Sequence, residues 1–488
     1  MKFVVRLFPE ITIKSAPVRK RLTKMLTESL RVLLKRIDAS VQVTRDWDKL
    51  DVNVASDDPG VELQIVECLA CTPGIAHFFR VKQYRFETLH DIYELALEAW
   101  KEDVEGLTFC VRAKRTGHHE FTSTEVERYV GGGINQHTHA AGVKLKNPDI
   151  TLNMEIKGQT LYLVEKRYSG SGGFPIGSQE DVLSLISGGF DSTVASYLTI
   201  KRGLKTHFCF FNLGGAEHET AVKEVAFYLW NRYASSHRVR FIAVPFEGVV
   251  NEILQKVSPA NMGVILKRMM LRAAEKVAER GGIDALVTGE AVAQVSSQTL
   301  PNLSVIDRVC SKLVLRPLIT MDKGDIIDIS RKIGAEEFSA AIPEYCGVIS
   351  VKPSAKVKLA KVEEEEALFS DEVLNEALNN CTVQNIDEVM NGLKAGVEPE
   401  IINAAPPGAV VVDIRHESEK DVRPLAISGE VTLIHVPFYQ LSSEFEKLEQ
   451  DRQYLLYCDK GVMSKLHAAH LMDQGFENVG VYRPQFFS

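Results

Sequence analysis

The chain has 488 residues, enough for three or four domains that each bury a core, and its 45% apolar and 25% charged side chains are those of a globular protein. No apolar run can cross a bilayer, and Met1–Leu7 alternates like a strand without a signal peptide's apolar core or cleavage site, so a cytoplasmic chain with no membrane role is expected. A net charge of −8 argues against whole-surface nucleic-acid binding. Residues 1–45 nonetheless hold eleven Lys or Arg against three acids, a patch that suits phosphate backbones or an ordinary solvated helix face.

In chain order, the first segment reads as strand (Lys2 to Leu7), basic helix (Ala16 to Ile37) and two strands (Val41 to Arg45, Leu50 to Ala55), closed by the turn cluster Ser56–Gly60. A second α+β unit follows from Val61, with helices to Cys71, over Leu89 to Trp100 and over Thr124 to Gln136, and strands at His77 to Tyr84, Leu107 to Arg112, Thr151 to Ile156 and Gln159 to Lys166. The glycines of Ser169–Gly177 read as a linker. Beyond it strand and helix alternate, as in a parallel sheet wrapped by helices: Val182 to Ile186, Asp191 to Arg202, Lys205 to Phe211, Ala216 to Ser235, Arg240 to Val244, Val264 to Arg280 and Ala285 to Thr288. The acidic run Glu363–Glu366 and the polar stretch to about Asn403 read as an interdomain connector, ended by Ala404–Gly408. A last α/β segment has strands at Ala409 to Asp413, Thr432 to Val436 and Gln453 to Tyr457 and a helix from Met463 to Gln474.

Ser187-Gly188-Gly189-Phe190-Asp191-Ser192 lies between an apolar strand and a helix, where glycines let backbone amides approach an anion and the helix N-terminus adds positive potential. With no Gly-Lys-Ser/Thr ending it is not a Walker loop. Cys458-Asp459-Lys460-Gly461-Val462-Met463-Ser464 follows a strand and precedes a helix, so successive amides there suit a thiolate or persulfide. A buried structural cysteine is the plain alternative. Cys68 and Cys71 form one C-x-x-C without a second pair and read as core, as do Cys110, Cys209, Cys310 and Cys381. In Phe109–Phe121, Arg112, Lys114 and Arg115 suit phosphates, and His118, His119, His137 and His139 lack the thiol or carboxylate of a metal set.

These motifs carry a resemblance. Ser187–Ser192 resembles the PP-loop of the N-type ATP pyrophosphatases, Phe109–Phe121 with Gly131–Ile134 resembles the THUMP domain of RNA-modifying enzymes, and Asp413-Ile414-Arg415 with the Cys458 loop resembles a rhodanese. The order is similar to the long form of the tRNA 4-thiouridine sulfurtransferases. That resemblance implies a multidomain α/β and α+β chain: ferredoxin-like over 1–60, THUMP over 61–167, PP-loop over 168–400 with a helical connector, and rhodanese-like over 404–488.

It further implies ATP and Mg²⁺ as cofactors. Leu185, Ile186, Ser187, Gly188, Gly189, Asp191, Ser192, Phe210, Phe211, Lys267, Gly289 and Gln298 would line the nucleotide site, with Lys323 near the reacting phosphates and Asp191 holding Mg²⁺ or orienting them. No metal site built by the protein alone is expected. Adenylation of the uridine at tRNA position 8 would be followed by sulfur delivery from Cys458, leaving a disulfide with Cys346. The implied partners are tRNA gripped through Arg112, Lys114 and Arg115, a cysteine desulfurase as persulfide donor, a reductant for the Cys346–Cys458 disulfide and a sulfur-carrier protein for the thiazole of thiamine; a homodimer is admitted. Met463 stands where a typical rhodanese loop has arginine, which disfavours thiosulfate chemistry. Two other readings stay open: an RNA-binding or chaperone-like protein with vestigial loops, and a PP-loop amidotransferase or 2-thiolase, for which neither an ammonia source nor a metal-binding cysteine set is visible.

Overall fold

The computed structural model describes residues 1–46, 49–213, 215–342, 353–390 and 399–415, then 420, 424–425, 427, 431–436, 441, 444–458, 462–473 and 475–484. The chain forms two compact units, one of residues 1–179 with 200–204 and 232–237, the other of the remainder.

In the first unit the order is β1 (Lys2–Leu7), α1 (Pro9–Thr12), α2 (Ala16–Lys35), β2 (Gln42–Arg45), β3 (Lys49–Asn53), α3 (Pro59–Cys71), β4 (Ile75–Arg85), α4 (Leu89–Trp100), β5 (Thr108–Thr116), α5 (Ser123–His137), β6 (Gly142–Val143), β7 (Ile150–Lys157) and β8 (Thr160–Gly172). All eight strands share one sheet, ordered β2-β3-β1-β4-β8-β7-β5-β6. Period-two alternation puts Phe3, Val5 and Leu7 on the face that meets Leu22, Leu26, Leu30 and Leu34, spaced by four along α2. Ile65, Leu69, Ile75 and Phe78 join this same core. The turn at Ser56–Gly60 is therefore internal to one packed body, and α3 with the start of β4 belongs to it. A second core gathers Trp100, Phe109, Val130 and Leu163. Capping boxes at Thr88 with Asp91 and at Thr122 with Glu125 start α4 and α5.

The expected linker at Ser169–Gly177 is corrected in its first half. Ser169 and Gly172 continue β8 opposite His77 and Ile75. The glycine is needed for close approach, since a Cβ on Gly170 would lie 2.3 Å from the Ile75 carbonyl oxygen. Phe174 and Ile176, further on, are buried.

The second unit begins with β9 (Asp181–Leu185), α6 (Phe190–Lys201), β10 (Lys205–Asn212), α7 (Gly215–Tyr233), β11 (Arg240–Pro245), α8 (Glu247–Lys256) and α9 (Met262–Gly281). It continues with β12 (Ala285–Val287), α10 (Leu300–Asp307), β13 (Leu313–Leu315), α11 (Lys323–Lys332), α12 (Glu336–Ala341), α13 (Leu359–Glu366), α14 (Asp371–Asn379) and β14 (Thr382–Asn385). The sheet order is β13-β12-β9-β10-β11-β14. Its strands are parallel except β14, which runs antiparallel to β11. Helices on a parallel sheet bury both faces, which is why Phe208 to Phe211 is an unbroken apolar run.

The acidic run is a second correction, because half of it is interior rather than connector. Glu366 is buried and takes Arg268 Nε and Nη2 at 2.6 and 2.8 Å, while Glu365 accepts from Ser258 Oγ at 2.7 Å and Asn261 Nδ2 at 3.1 Å. The stretch after it adds α14 and the edge strand β14 to the same unit.

A third sheet holds β15 (Ile401–Ile402), β16 (Val410–Asp413), β17 (Thr432–His435), β18 (Tyr454–Tyr457) and β19 (Val479–Tyr482), ordered β15-β19-β18-β16-β17 with every described pair parallel. Val411, Leu455, Tyr457 and Tyr482 form its core, and a helix, Val462–Asp473, links β18 to β19.

Two predictions follow from buried charge. Glu366→Ala strands the Arg268 guanidinium and should cost roughly 3–5 kcal/mol in urea unfolding, whereas a loss below about 1 kcal/mol would contradict the pairing. On α7, burial pushes the Glu224 carboxyl up to about 8, with His467 of the C-terminal helix 4.0 Å away. A carboxyl raised on folding favours the protonated native state, so this contribution is full below the ordinary value of 4.5 and is lost as pH rises through about 8. Glu224→Gln should flatten that alkaline decline in the thermal midpoint; an unchanged pH profile would refute it.

Candidate active site

Strand β9 runs into Ser187–Gly189, and α6 begins at Phe190. Gly188 has φ 82°, and a Cβ there would meet Ile342 Cδ1 at 2.4 Å, so both conformation and space require glycine. The turn is closed by its serines. Ser187 N–H donates to Ser192 Oγ at 3.1 Å, and Ser192 Oγ donates to the Gly189 carbonyl at 3.2 Å. The first turn of α6, whose N–H groups have no intrahelical acceptor, is thereby presented to a cavity of about 580 Å³.

The cavity lies at the carboxyl ends of the parallel strands. Of the twelve nucleotide-site residues expected, Leu185, Ile186, Ser187, Gly189, Asp191, Ser192, Phe211, Lys267, Gly289 and Gln298 line it. Gly188 and Phe210 do not: the first shapes the turn, and the second is buried with its ring against His218 and Phe241. Lys323 is off the lining but reaches the site through Asp191, its Nζ 2.7 Å from Oδ1 and 5.6 Å from the Phe190 ring centroid. The Gln298 side chain is buried, and its Oε1 has no hydrogen-bond partner among the described residues, an acceptor suited to a ligand amine.

Sequence reasoning missed several groups. Glu290 accepts from Lys267 Nζ at 2.8 Å, Arg316 Nε at 2.7 Å and Thr288 Oγ1 at 3.1 Å, and Arg316 also forks onto Asp307. Burial pushes the Glu290 carboxyl up, but Lys267 and Arg316 outweigh it and hold the group below its ordinary value. His218 lines the cavity with Nε2 3.4 Å from the Ser187 carbonyl, and burial lowers its pKa. Gln294 donates from Nε2 to Asp191 Oδ2 at 2.7 Å. The partners of these groups come from distant strands and loops, so no local spacing marks them.

Both Asp191 oxygens are thus taken by N–H donors, and no cluster of three His, Cys, Asp or Glu fit for a metal occurs among the described residues. This arrangement does not fit Mg²⁺ held by the protein alone.

In the third sheet Cys458 follows β18, and its Sγ accepts the Ser464 N–H at 3.3 Å, with Ser464 Oγ 3.4 Å away. Asp413 and Arg415 form a buried pair with Nε–Oδ1 2.9 Å and Nη2–Oδ2 2.7 Å, and the guanidinium stacks 5.0 Å from the Tyr457 ring centroid. Cys346, Lys460 and the Met463 side chain lie outside the described residues. In the first unit Arg112 and Lys114 are exposed on β5. Arg115 is half-buried and donates to His119 Nδ1 at 3.0 Å, while His119 Nε2 donates to the Gly158 carbonyl at 2.8 Å. Cys209 is fully buried, which pushes its thiol up and makes it inert.

The family model described as "Thiamine biosynthesis protein (ThiI)" matches residues 177–370, and that of the THUMP domain matches 86–164. The tRNA sulfurtransferase of Saccharophagus degradans is 64% identical over 99% of this chain and 100% of its own length. That of Shewanella piezotolerans is 56% identical over the same shares. A crystal structure of a 4-thiouridine synthetase–RNA complex with bound ATP is similar at 26% identity and TM-score 0.69, covering 79% of this chain and 99% of that one. A THUMP domain, a loop-and-cavity α/β body and near-identical length with relatives of one activity leave a single family: the chain belongs to the tRNA sulfurtransferases of the ThiI type.

Proposed function

We propose that the enzyme forms 4-thiouridine at position 8 of tRNA in two half-reactions, adenylation in the 580 Å³ cavity and sulfur delivery from Cys458. The observation that carries the first is the Ser187–Ser192 turn opening on that cavity with Asp191 and Lys323 paired beside it; the relative solved with RNA and ATP supports the choice of substrates.

ATP is a substrate here, its phosphates set toward the first turn of α6 and its base toward Leu185, Ile186, Phe211 and Gln298. The uridine O4 attacks the α-phosphorus, the N3 proton passes to solvent, pyrophosphate leaves, and Lys323 stabilises the departing charge. The outer sulfur of a Cys458 persulfide then adds at C4 and AMP leaves. Cys346 thiolate attacks Cys458 Sγ, the Sγ–S bond breaks, the sulfur stays on C4, and the two cysteines end as a disulfide that a dithiol reductant reopens. The Ser464 N–H would stabilise the Cys458 thiolate as it forms. Lys114 and Arg112 are exposed to meet tRNA phosphates, Arg112 being steadied by the Leu145 carbonyl at 3.0 Å and Glu127 at 3.8 Å, with Arg115 braced by His119.

The Asp413–Arg415 pair, the Cys458 turn and the separate core of the third sheet support a rhodanese-like body there. That separate core, with the thiamine description of the matched family model, favours a second use of the same sulfur: transfer from Cys458 to a carrier protein for the thiamine thiazole.

Three strains separate these roles. Cys458→Ala should lose both 4-thiouridine in tRNA and thiamine prototrophy, and Asp191→Ala should lose only the thionucleoside. Cys346→Ala should fall below one-tenth of wild-type thiolation in multiple turnovers. Normal 4-thiouridine in the Cys458 strain would sink the relay. For the cavity, a Cβ on Gly289 would lie 2.6 Å from Asp191 C and Ser192 N, so Gly289→Ala must displace the loop. It should weaken ATP binding by at least tenfold in equilibrium dialysis, and unchanged binding would contradict the placement.

A further inference from the structure

The Asp191 carboxylate is held from two sides. Lys323 Nζ at the start of α11 sits 2.7 Å from Oδ1, and Gln294 Nε2, from the loop after β12, sits 2.7 Å from Oδ2. The loop that presents Gln294 is over-determined. Glu290 anchors its start to Lys267 and Arg316, Val292 N–H donates to the Ile319 carbonyl at 3.0 Å, and Ala293 N–H donates to the Gln298 carbonyl at 3.0 Å. Between these anchors Ala293 takes φ 65°, a left-handed conformation that a residue with a Cβ adopts only at a cost, and Gln294 is the residue it aims.

We propose that Gln294 is a positioning residue for adenylation. By occupying Oδ2 it leaves Oδ1 as the one carboxylate oxygen open to Lys323, and so sets the ammonium beside Phe190 at the mouth of the phosphate-binding turn. A neutral amide does this without adding charge beside an incoming triphosphate, as a lysine or a carboxylate there would. The inference rests on the reading of this cavity as the ATP site. Among the described residues, the other charged and titratable groups facing it are Lys267 on α9, His218 on α7 and Glu290 on the same loop.

The test is tRNA-dependent exchange of labelled pyrophosphate into ATP by the full chain, followed between pH 5.5 and 8.5. Gln294→Ala removes one charge-assisted hydrogen bond, and the exchange rate should fall roughly ten- to hundred-fold with KM for ATP changed less than about threefold. Gln294→Glu gives the distinguishing readout. A protonated glutamic acid has the shape of glutamine and can donate to Asp191, and its own pKa is raised by that neighbour. Its exchange should approach wild type at the acid end and decline as pH rises, where two carboxylates repel, while Gln294→Ala stays low throughout. Activity recovered at low pH also shows that the Gln294→Glu protein is folded. Wild-type rates in Gln294→Ala, or a Gln294→Glu profile parallel to wild type, would overturn the positioning role. Absence of exchange in the wild type would instead overturn the ATP-site reading itself.

Discussion

Two loops of the second unit touch through bare backbone, and the rest of the cavity is arranged around that contact. At Gly289 there is no space for even a methyl group against the carbonyl carbon of Asp191 and the amide of Ser192. The contact exists because β9 and β12 are neighbours in a parallel sheet whose chain leaves β9 toward β10 on the other side. Such a switch in strand order opens a crevice at the carboxyl ends of the strands, and here the turn after β9 and the loop after β12 are its two lips. Once the lips meet at Gly289, the residues downstream are carried over Asp191, which places Gln294 and Gln298 in the cavity.

Charge around this crevice is distributed in pairs. Acids and bases in and around the pocket are matched before any substrate arrives: Lys267 and Arg316 on Glu290, Arg316 again on Asp307, and Lys323 on Asp191. Glu290 is buried and keeps its charge because two cations surround it. Asp191 and Lys323 are more exposed than Glu290, at 21% and 39%, and of these pairs theirs stands beside the Ser187–Ser192 turn. A neutralised floor with one more exposed ion pair held beside the turn suits chemistry in which negative charge moves from a triphosphate to a leaving pyrophosphate.

Much of this was legible in the residues. A Ser/Gly turn between an apolar strand and a helix has few structural uses, and ten of the expected nucleotide-site residues line one cavity. Local pattern failed where a partner lay far off in sequence. Glu363–Glu366 reads as part of an interdomain connector until Arg268, about a hundred positions earlier, is seen to fork onto Glu366. Gly170 reads as a breaker until β4 passes so close that only glycine fits. Gln294 carries no motif, and its one signal, the left-handed backbone of Ala293, appears only in three dimensions. The cysteine loop is a different case: Cys458 is found at a strand end with an amide on its sulfur, but the residue assigned to resolve it, Cys346, is outside the described residues.

The central claim is that one chain first turns a uridine oxygen into a leaving group and only then accepts sulfur. Its most direct measurement is the mass of tRNA fragments after the full chain is mixed with tRNA and ATP in a single turnover with no persulfide donor present. The expected result is one AMP added to the fragment that carries uridine 8, with one pyrophosphate released for each. Unmodified tRNA accompanied by ADP and phosphate, or sulfur incorporation on later addition of donor without prior AMP attachment, would contradict it.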